Sequence, residues 1–564
     1  MGLVSFPISF VTCGLWYWKI DMPIEPNKVL DFSQIRFTER DAELSVMLAE
    51  GLPYLNMDEA REIQRALAVS TYSHSNGLHK DDWYEHVKAG VDVCLILGKL
   101  EMGTDALLAS IISGVFRPKA KPHGFGGPTI TLADIKEAFG MRVAKLVENF
   151  EHVVRLEERA KNTLSLRTAK EAGGAVADSK EQVDKVIKLI LSEAGDWQVL
   201  TLHLATHMQA LKAAISRGGV GPKARQLARE VLSIEAPLAH RLGVHQLSSG
   251  LENLAFKALY PKEFKEVQQA TEEKMEMYQE VLQSTMKTVL TALNDDVGFM
   301  SQLDGDVRIQ HRIKEPYSMW KKMEKQKSGV ESVHDAVALR VVLKATRWAG
   351  ESEESYTARS EALCYQAMAI ARRVHPSVQG RFKDYIEHPK PNGYQSLHST
   401  HVAEAISKGE PIHFEFQVRT AEMHHKAEYG HASHWSYKSE ETNSLSWMED
   451  NRVEYGRPKA MGVPGQGPGR LAVPKSVSSG RDLVTWLHLE LQQRKVFVFG
   501  PGNLILELDK RSATAADVLG GFVGRSESVE SAASGVTRAS VNGKKVPLHY
   551  ALKNGDVLDL HVAS

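Results

Sequence analysis

The spacing of the apolar residues changes once along the chain, near residue 300, and the change divides what the chain can fold into. From about residue 40 to 295, apolar side chains recur at i, i+3, i+4 and i+7, as in TDALLASIISGVF, IKEAFGMRVAKLVENFEHVVRLEERA and KVIKLILSEAGDWQVLTLHLATHMQALKAAI. That is the stripe of an amphipathic helix, so this half is expected to be all-α. Between about 300 and 440 the period shortens. IHFEFQVRT alternates strictly, DAVALRVVL is an apolar run of strand length, and the helical SEALCYQAMAIARRV lies between them. Strands interleaved with helices predict a mixed α/β domain.

A length of 564 residues is too great for one core, so a multidomain chain is expected. The reading divides it into an N-terminal extension (1–40), an all-α domain (41–295), an α/β domain (296–440), a linker (441–493) rich in Gly and Pro around RVEYGRPKAMGVPGQGPGRLAVPKSVSSG, and a small β-rich domain (494–564) with short strands and Asn-Gly turns. With 25% charged residues and a net charge of −1, no global field draws the chain to nucleic acid or membrane, and any basic site must be local. Cys13, Cys94 and Cys364 have no metal-type spacing and no disulfide framework. The opening MGLVSFPISFVTCGLWYW lacks a basic n-region and is cut by Lys19 and Asp21. It falls short of the ~20 residues that span a bilayer, so a soluble, non-secreted chain is expected.

Three stretches of the α/β domain carry chemistry. In RIKEPYSMWKKMEKQK (312–327), Pro316 suits the first turn of a helix, Glu315 before it is held extended, and Ser318 and Lys322 share a face one turn apart. With Arg312, Lys314 and Lys321 alongside, this reads either as an anion site for a polyphosphate or as a solvated basic helix. In HFEFQVRT, Glu415, Gln417 and Arg419 take one side of a strand and Phe414, Phe416 and Val418 the core side; Asp335 opens the other strand. One carboxylate from each of two strands suits Mg²⁺, which fills its remaining positions with water and phosphate oxygens, although a salt bridge would explain either acid alone. In KPNGYQSLHST, a turn at Pro391, Asn392 and Gly393 delivers Tyr394, Gln395, Ser396 and His398 in quick succession.

Together with GRFKDYIEHPKPNGYQSLHST, FEFQVRTAEMHHKAEYGHASHWSYK, AREVLSIEAPLAHRLG and LENLAFKALYP, these stretches resemble, in order and spacing, the RelA/SpoT homologue family of guanosine tetra- and pentaphosphate enzymes. The resemblance implies a nucleotidyltransferase-like synthetase domain that moves the β,γ-pyrophosphate of ATP to the ribose 3′-OH of GDP or GTP. It implies Asp335 and Glu415 as catalytic and metal-binding residues for Mg²⁺ or Mn²⁺. Arg312, Lys314, Ser318, Lys322 and Arg340 would bind ATP; Lys383, Lys390, Asn392, Tyr394, Gln395, His398 and Gln417 would surround the acceptor, with Tyr394 stacked on guanine. RFKD (381–384) resembles the basic version of a motif that varies in the family, which leaves GDP and GTP both open.

In the same family the helical domain is an HD-type metal-dependent hydrolase. His86 matches one ligand, but Ser113 and Gly114 stand where the His-Asp pair is expected, Thr206 where a later Asp is expected, and Ala210 where the pattern has Asn. Hydrolysis is therefore expected to be lost and the domain kept as scaffold or regulator. His203 and His207, four apart, could pair as ligands, though a helical His pair usually serves packing or surface. VFVFGPGNLILEL and VNGKKVPLHYALKNGDVLDL resemble a TGS-like β-grasp module, through which self-association or a regulatory partner would act. AADVLGGFVG replaces the AYxIH-like helix that meets tRNA in long relatives, so ribosome sensing is not expected. Cytoplasm or plastid stroma would suit such a chain. The competing reading is a catalytically inactive protein that binds guanine nucleotides.

Overall fold

The structure is a computed structural model and describes residues 39–75, 83–116, 130–170, 176–216, 220–329, 333–390, 394–405, 409, 411–428, 488–500, 504–518 and 536–562. Residues 1–38 of the N-terminal extension, Asn392 and residues 441–487 of the expected linker lie outside these. Residues 488–494, whose first six were read as linker, are helical, and Leu491 is buried in a core.

The first half is helical. Helices α1 (Glu39–Gly51), α2 (Met57–Ser75), α3 (Trp83–Gly98), α4 (Thr104–Ile112), α5 (Leu132–Lys170), α6 (Val176–Ala194), α7 (Trp197–Ser216), α8 (Pro222–Glu230), α9 (Ala236–Arg241) and α10 (His245–Leu259) follow one another. Their apolar stripes merge into one core through Leu67, Val91, Leu107, Val147, Leu200 and Leu251. Gly140, at φ +88°, breaks α5 into two helices at a conformation closed to most side chains. Between α8 and α9 the residues Val231–Glu235 form a π-turn. Pro237 accounts for it: lacking an N–H, it cannot donate to the carbonyl of Ser233, and its ring pushes that carbonyl aside.

Helices α11 (Pro261–Glu273) and α12 (Met275–Asn294) pack elsewhere. Val267, Met277, Val281, Val289 and Leu293 join the core of the α/β half. The helical period up to 295 thus covers two cores that part near residue 260, because periodicity shows which face is apolar and not what covers it. After α13 (Val297–Met300) come β1 (Arg308–Ile313), α14 (Pro316–Gln326), β2 (Val337–Leu343), α15 (Glu353–Val374), β3 (Ser377–Asp384), β4 (Leu397–Glu404), β5 (Pro411–Thr420) and α16 (Ala421–Glu428). The five strands form one sheet in the order β1-β2-β5-β4-β3, with β2 and β5 parallel and the other pairs antiparallel.

The register of this sheet builds the site. Partners across strands share a face, and residues two apart on a strand share it as well. Gln310, Arg340, Gln417, His398 and Lys383 are paired in one row across all five strands; Arg312, Ala338, Glu415 and Thr400 form the adjacent row. Val337, Leu339, Val341, Leu397, Phe414, Phe416 and Val418 point the other way, into the core. The predicted partition of HFEFQVRT is the one observed.

The tail contains β6 (Lys495–Gly500), β7 (Leu504–Asp509), β8 (Val536–Val541), β9 (Lys544–Val546) and β10 (Leu558–Val562), in a two-stranded and a three-stranded sheet joined by a Phe499–Val557 bridge. It has its own small core, yet Phe497, Phe499 and Ile505 belong to the core of the helical half. Polar contacts reinforce the docking: Arg159 donates to the carbonyl of Gly555 at 2.8 Å, the Ile505 N–H to Gln182 at 2.8 Å, and Lys188 pairs with Glu507 at 3.0 Å. No described helix is long and apolar enough to cross a membrane.

Candidate active site

The phosphate-side cluster forms where β1 leads into α14. Glu315 is extended (φ −60°, ψ 142°), Pro316 opens the helix, and the buried Met319 anchors its inner face, as the sequence required. The Lys314 N–H donates to the Ala336 carbonyl at 2.8 Å, which ties the end of β1 to the turn that holds Asp335. Asp335 therefore lies in the turn before β2 and not in the strand itself. Lys314 approaches its Oδ2 at 2.9 Å and Lys322 closes on the same oxygen. Ser318 stands one helical turn before Lys322.

Two features of the expected anion cradle differ. The Tyr317 N–H, one of the free donors at the helix start, is taken by Asn253 Oδ1 at 3.0 Å, and Asn253 also donates to Glu315 at 2.8 Å. Lys321 turns away from Asp335 to Glu252 at 3.1 Å. Both partners come from α10, so the helical half caps the helix of the α/β half.

Burial alone would raise the Asp335 carboxyl, but Lys314 and Lys322 outweigh it and hold it at about 2. A folded-state value below the unfolded one stabilises the fold above the unfolded value, near pH 3.9, and that stability is lost as pH falls through about 2. We expect wild type to exceed Asp335→Asn in unfolding free energy by up to about 2 kcal/mol near neutral pH, in urea titrations, with the gap narrowing below about pH 4.

Glu415 is the second acid. It is buried, accepts from His398 Nδ1 at 3.1 Å on Oε1 and from Gln417 Nε2 at 2.7 Å on Oε2, and is held at about 2: burial pushes it up, the His398 and Gln417 contacts push it down, and the negative charge of Asp335 opposes them. Burial drives His398 towards its neutral form. With the proton on Nδ1 facing Glu415, its Nε2 accepts from the Tyr394 hydroxyl at 2.9 Å. Tyr394, His398 and Glu415 thus form one directed chain. Tyr385 meets His398 edge-on at 5.2 Å, and Lys390 Nζ lies 4.6 and 4.8 Å from the Tyr385 and Tyr394 rings. Lys390 and Lys383 both contribute positive potential at His398.

Behind this chain Arg340 and Arg419 are buried side by side and share Glu428, at 2.8 and 2.7 Å; Arg419 also donates to His424. Arg340, read as an ATP ligand, is held here, where the charges of Arg419 and Arg312 also reach it. Gln395 is half-buried beside Tyr394. Sequence reasoning did not assign roles to Tyr385, His245 or Glu428. His245 comes from α10 and meets Tyr394 edge-on at 6.1 Å. The available signals were position alone: Tyr385 follows RFKD, Glu428 ends AEMHHKAE, and His245 follows APLAHRLG.

In the helical half His86 stacks on His74 at 5.7 Å, and Gly114 faces the same His74 ring. Ser113 and Thr206 direct their hydroxyls to carbonyls of their own helices, Ser110 and Leu202. The group of three or more potential metal ligands found among the described residues lies elsewhere, at Glu157, His203, His207 and Glu235. The histidine pair is neither surface nor plain packing.

Residues 311–442 match the family described as the region found in RelA / SpoT proteins, and residues 66–245 match an HD domain. The chain is 30% identical over 506 residues to a guanosine-3′,5′-bis(diphosphate) 3′-pyrophosphohydrolase of Aquifex aeolicus, covering 89% of this chain and 60% of that one. It is 28% identical to a GTP pyrophosphokinase of Myxococcus xanthus (88% and 56% covered) and 27% identical to the bifunctional (p)ppGpp synthase/hydrolase SpoT of Escherichia coli (81% and 55%). The chain thus spans less than two thirds of the length of these relatives.

Proposed function

Because the chain belongs to the RelA/SpoT family, we propose that its polar sheet face transfers pyrophosphate from ATP to the ribose 3′-hydroxyl of GDP or GTP. The observation that carries this reading is the pair of carboxylates, Asp335 and Glu415, kept ionised and within each other's field among the cations Arg312, Lys314, Lys322, Arg340, Lys383, Lys390 and Arg419. A protein that only bound the nucleotides would gain nothing from a buried acid facing a second acid, since each repels the phosphates. Pyrophosphoryl transfer demands positioning and neutralisation of charge more than covalent participation, and a cationic face with two metal-type acids offers both.

In this reading Lys314, Lys322 and Ser318 hold the ATP phosphates, Arg312 the adenine side, and Tyr394, Lys390 and Lys383 the acceptor. Both lysines take Oδ2 of Asp335, and no described residue bonds its Oδ1, so the donor set suits a hard, oxygen-seeking ion. Asp335 and Glu415 would hold Mg²⁺, which supplies charge neutralisation on the transferring group. A carboxylate at about 2 is a weak base, so Glu415 orients the 3′-hydroxyl as a hydrogen-bond acceptor more than it removes the proton outright. The attacking hydroxyl oxygen forms a bond to the β-phosphorus of ATP, the bond from that phosphorus to the α,β-bridging oxygen breaks, and AMP departs. We infer that the helical domain no longer hydrolyses the product, since Ser113, Gly114 and Thr206 offer no imidazole or carboxylate, and that the tail is a TGS-like β-grasp module. Incubating the purified chain with Mg²⁺, ATP and labelled GDP or GTP should yield a 3′-pyrophosphorylated nucleotide and AMP in equal amounts. ATP-independent retention of the acceptor without product would favour the inactive binding protein instead.

A further inference from the structure

We propose that Glu157, His203, His207 and Glu235 form a closed, structural site for a divalent transition metal of the zinc class, which pins α5 and α7 to the π-turn. Its ligand atoms, one from each residue, all lie within 4.8 Å of one another. His207 Nε2 is 3.0 Å and His203 Nε2 3.3 Å from Glu157 Oε2, and His207 Nδ1 is 3.3 Å from Glu235 Oε1. Bonds of about 2.0–2.1 Å to a tetrahedral centre put ligand atoms about 3.3 Å apart, so the separations at Glu157 need little change, whereas Glu235 approaches the other ring nitrogen of His207 and must turn towards the one that ligates.

The chain reaches this arrangement by three local rules. His203 and His207 are one turn apart on α7 and share its inner face. Glu157 and Lys161 do the same on α5. Glu235 closes the π-turn caused by Pro237, and the extra residue in that turn shifts the side chains after it round the helix. Glu235 and His203 are 0% exposed and Glu157 is 3% exposed.

Two observations separate this cluster from an ordinary ion-pair network. His203 Nδ1 and Glu235 Oε2 lack a hydrogen-bond partner, and His203 Nε2 and His207 Nδ1 face carboxylate oxygens at 3.3 Å without the alignment of a hydrogen bond, although buried polar atoms are nearly always paired. Carboxylates also crowd the cluster. Lys161 faces Glu157 at 2.8 Å, Glu230 at 3.1 Å and Glu235 at 3.1 Å, so one ammonium meets three carboxylates, two of them buried and Glu230 26% exposed. Lys161 uses Oε1 of both Glu157 and Glu235; Oε2 of Glu157 meets the two histidines, while Oε1 of Glu235 is shared with His207 and its Oε2 is left over. A dication would take the place of the protons these groups otherwise share and would give one nitrogen of each histidine and the free oxygen of Glu235 a partner. Imidazole and carboxylate are both Zn²⁺ donors, and four protein ligands leave no open position for a substrate, which gives the ion a structural role. The site is separate from the sheet face and does not depend on the reaction proposed there.

The test uses the full-length chain loaded with Zn²⁺ and dialysed against metal-free buffer. Elemental analysis should find about one zinc per chain, Co²⁺ in its place should give the visible absorption of a four-coordinate complex, and chelation should lower the unfolding temperature. Each of His203→Gln and Glu157→Gln should weaken zinc binding by at least about 100-fold. Should either variant fail to fold, the cobalt spectrum and chelator response of the wild type decide. Less than about a tenth of an equivalent of zinc in folded wild type, or equal zinc in wild type and folded variants, would overturn the proposal.

Discussion

Glu415→Gln is expected to lower pyrophosphate transfer by about three orders of magnitude or more, with ATP and GDP affinities changed less than about tenfold. The substitution keeps volume but removes a charge at the point where two donors, His398 Nδ1–H and Gln417 Nε2–H, converge. A glutamine offers one oxygen to those donors and sets its own NH₂ against the other, so the acceptor proposed to orient the 3′-hydroxyl and one of the two acids proposed to hold the metal would vanish together. Initial rates at saturating nucleotide, with calorimetric titration of each nucleotide, separate the two effects. Unchanged turnover in a folded variant would refute the assignment of the sheet face as the reaction centre; equal losses in binding and rate would instead make Glu415 a binding group.

Glu428→Ala is expected to cost about 3 kcal/mol of stability, measured by urea unfolding of the α/β half. Arg419 is 1% and Arg340 6% exposed, and Glu428 is the carboxylate they share. Two guanidinium groups that cannot reach water would then repel each other without a counter-charge. The partial exposure of Glu428 itself, 25%, admits some water to the gap and keeps the figure at the lower end of what a broken buried pair costs. Glu428→Asp should recover part of the loss. A cost below about 1 kcal/mol for the alanine variant would mean that solvent or His424 already balances the pair.

Much of the sheet face was legible beforehand because strand periodicity is rigid. Alternation in HFEFQVRT placed Glu415, Gln417 and Arg419 together, and Pro316 fixed the start of α14. Lys321 was misread as part of the anion cradle because its direction depends on Glu252, more than sixty residues away. The reading of the His203 and His207 pair stayed open for the same reason: the spacing placed both on one helix face, but the acids opposite come from α5 and from a π-turn. The tail, read as a module beyond a linker, shares a core with the helical half through Phe497 and Ile505.

By itself, the sequence determined the helical and α/β halves, the two faces of the central strands and the acids and cations placed on one of them, since each depends on contacts within a few residues. Tertiary structure alone decided which charge meets which: that both lysines take one oxygen of Asp335, that two arginines share Glu428, and that two histidines meet two glutamates. Local propensity follows from neighbours along the chain, whereas electrostatic pairing and burial depend on distances across it, which only the packed chain sets.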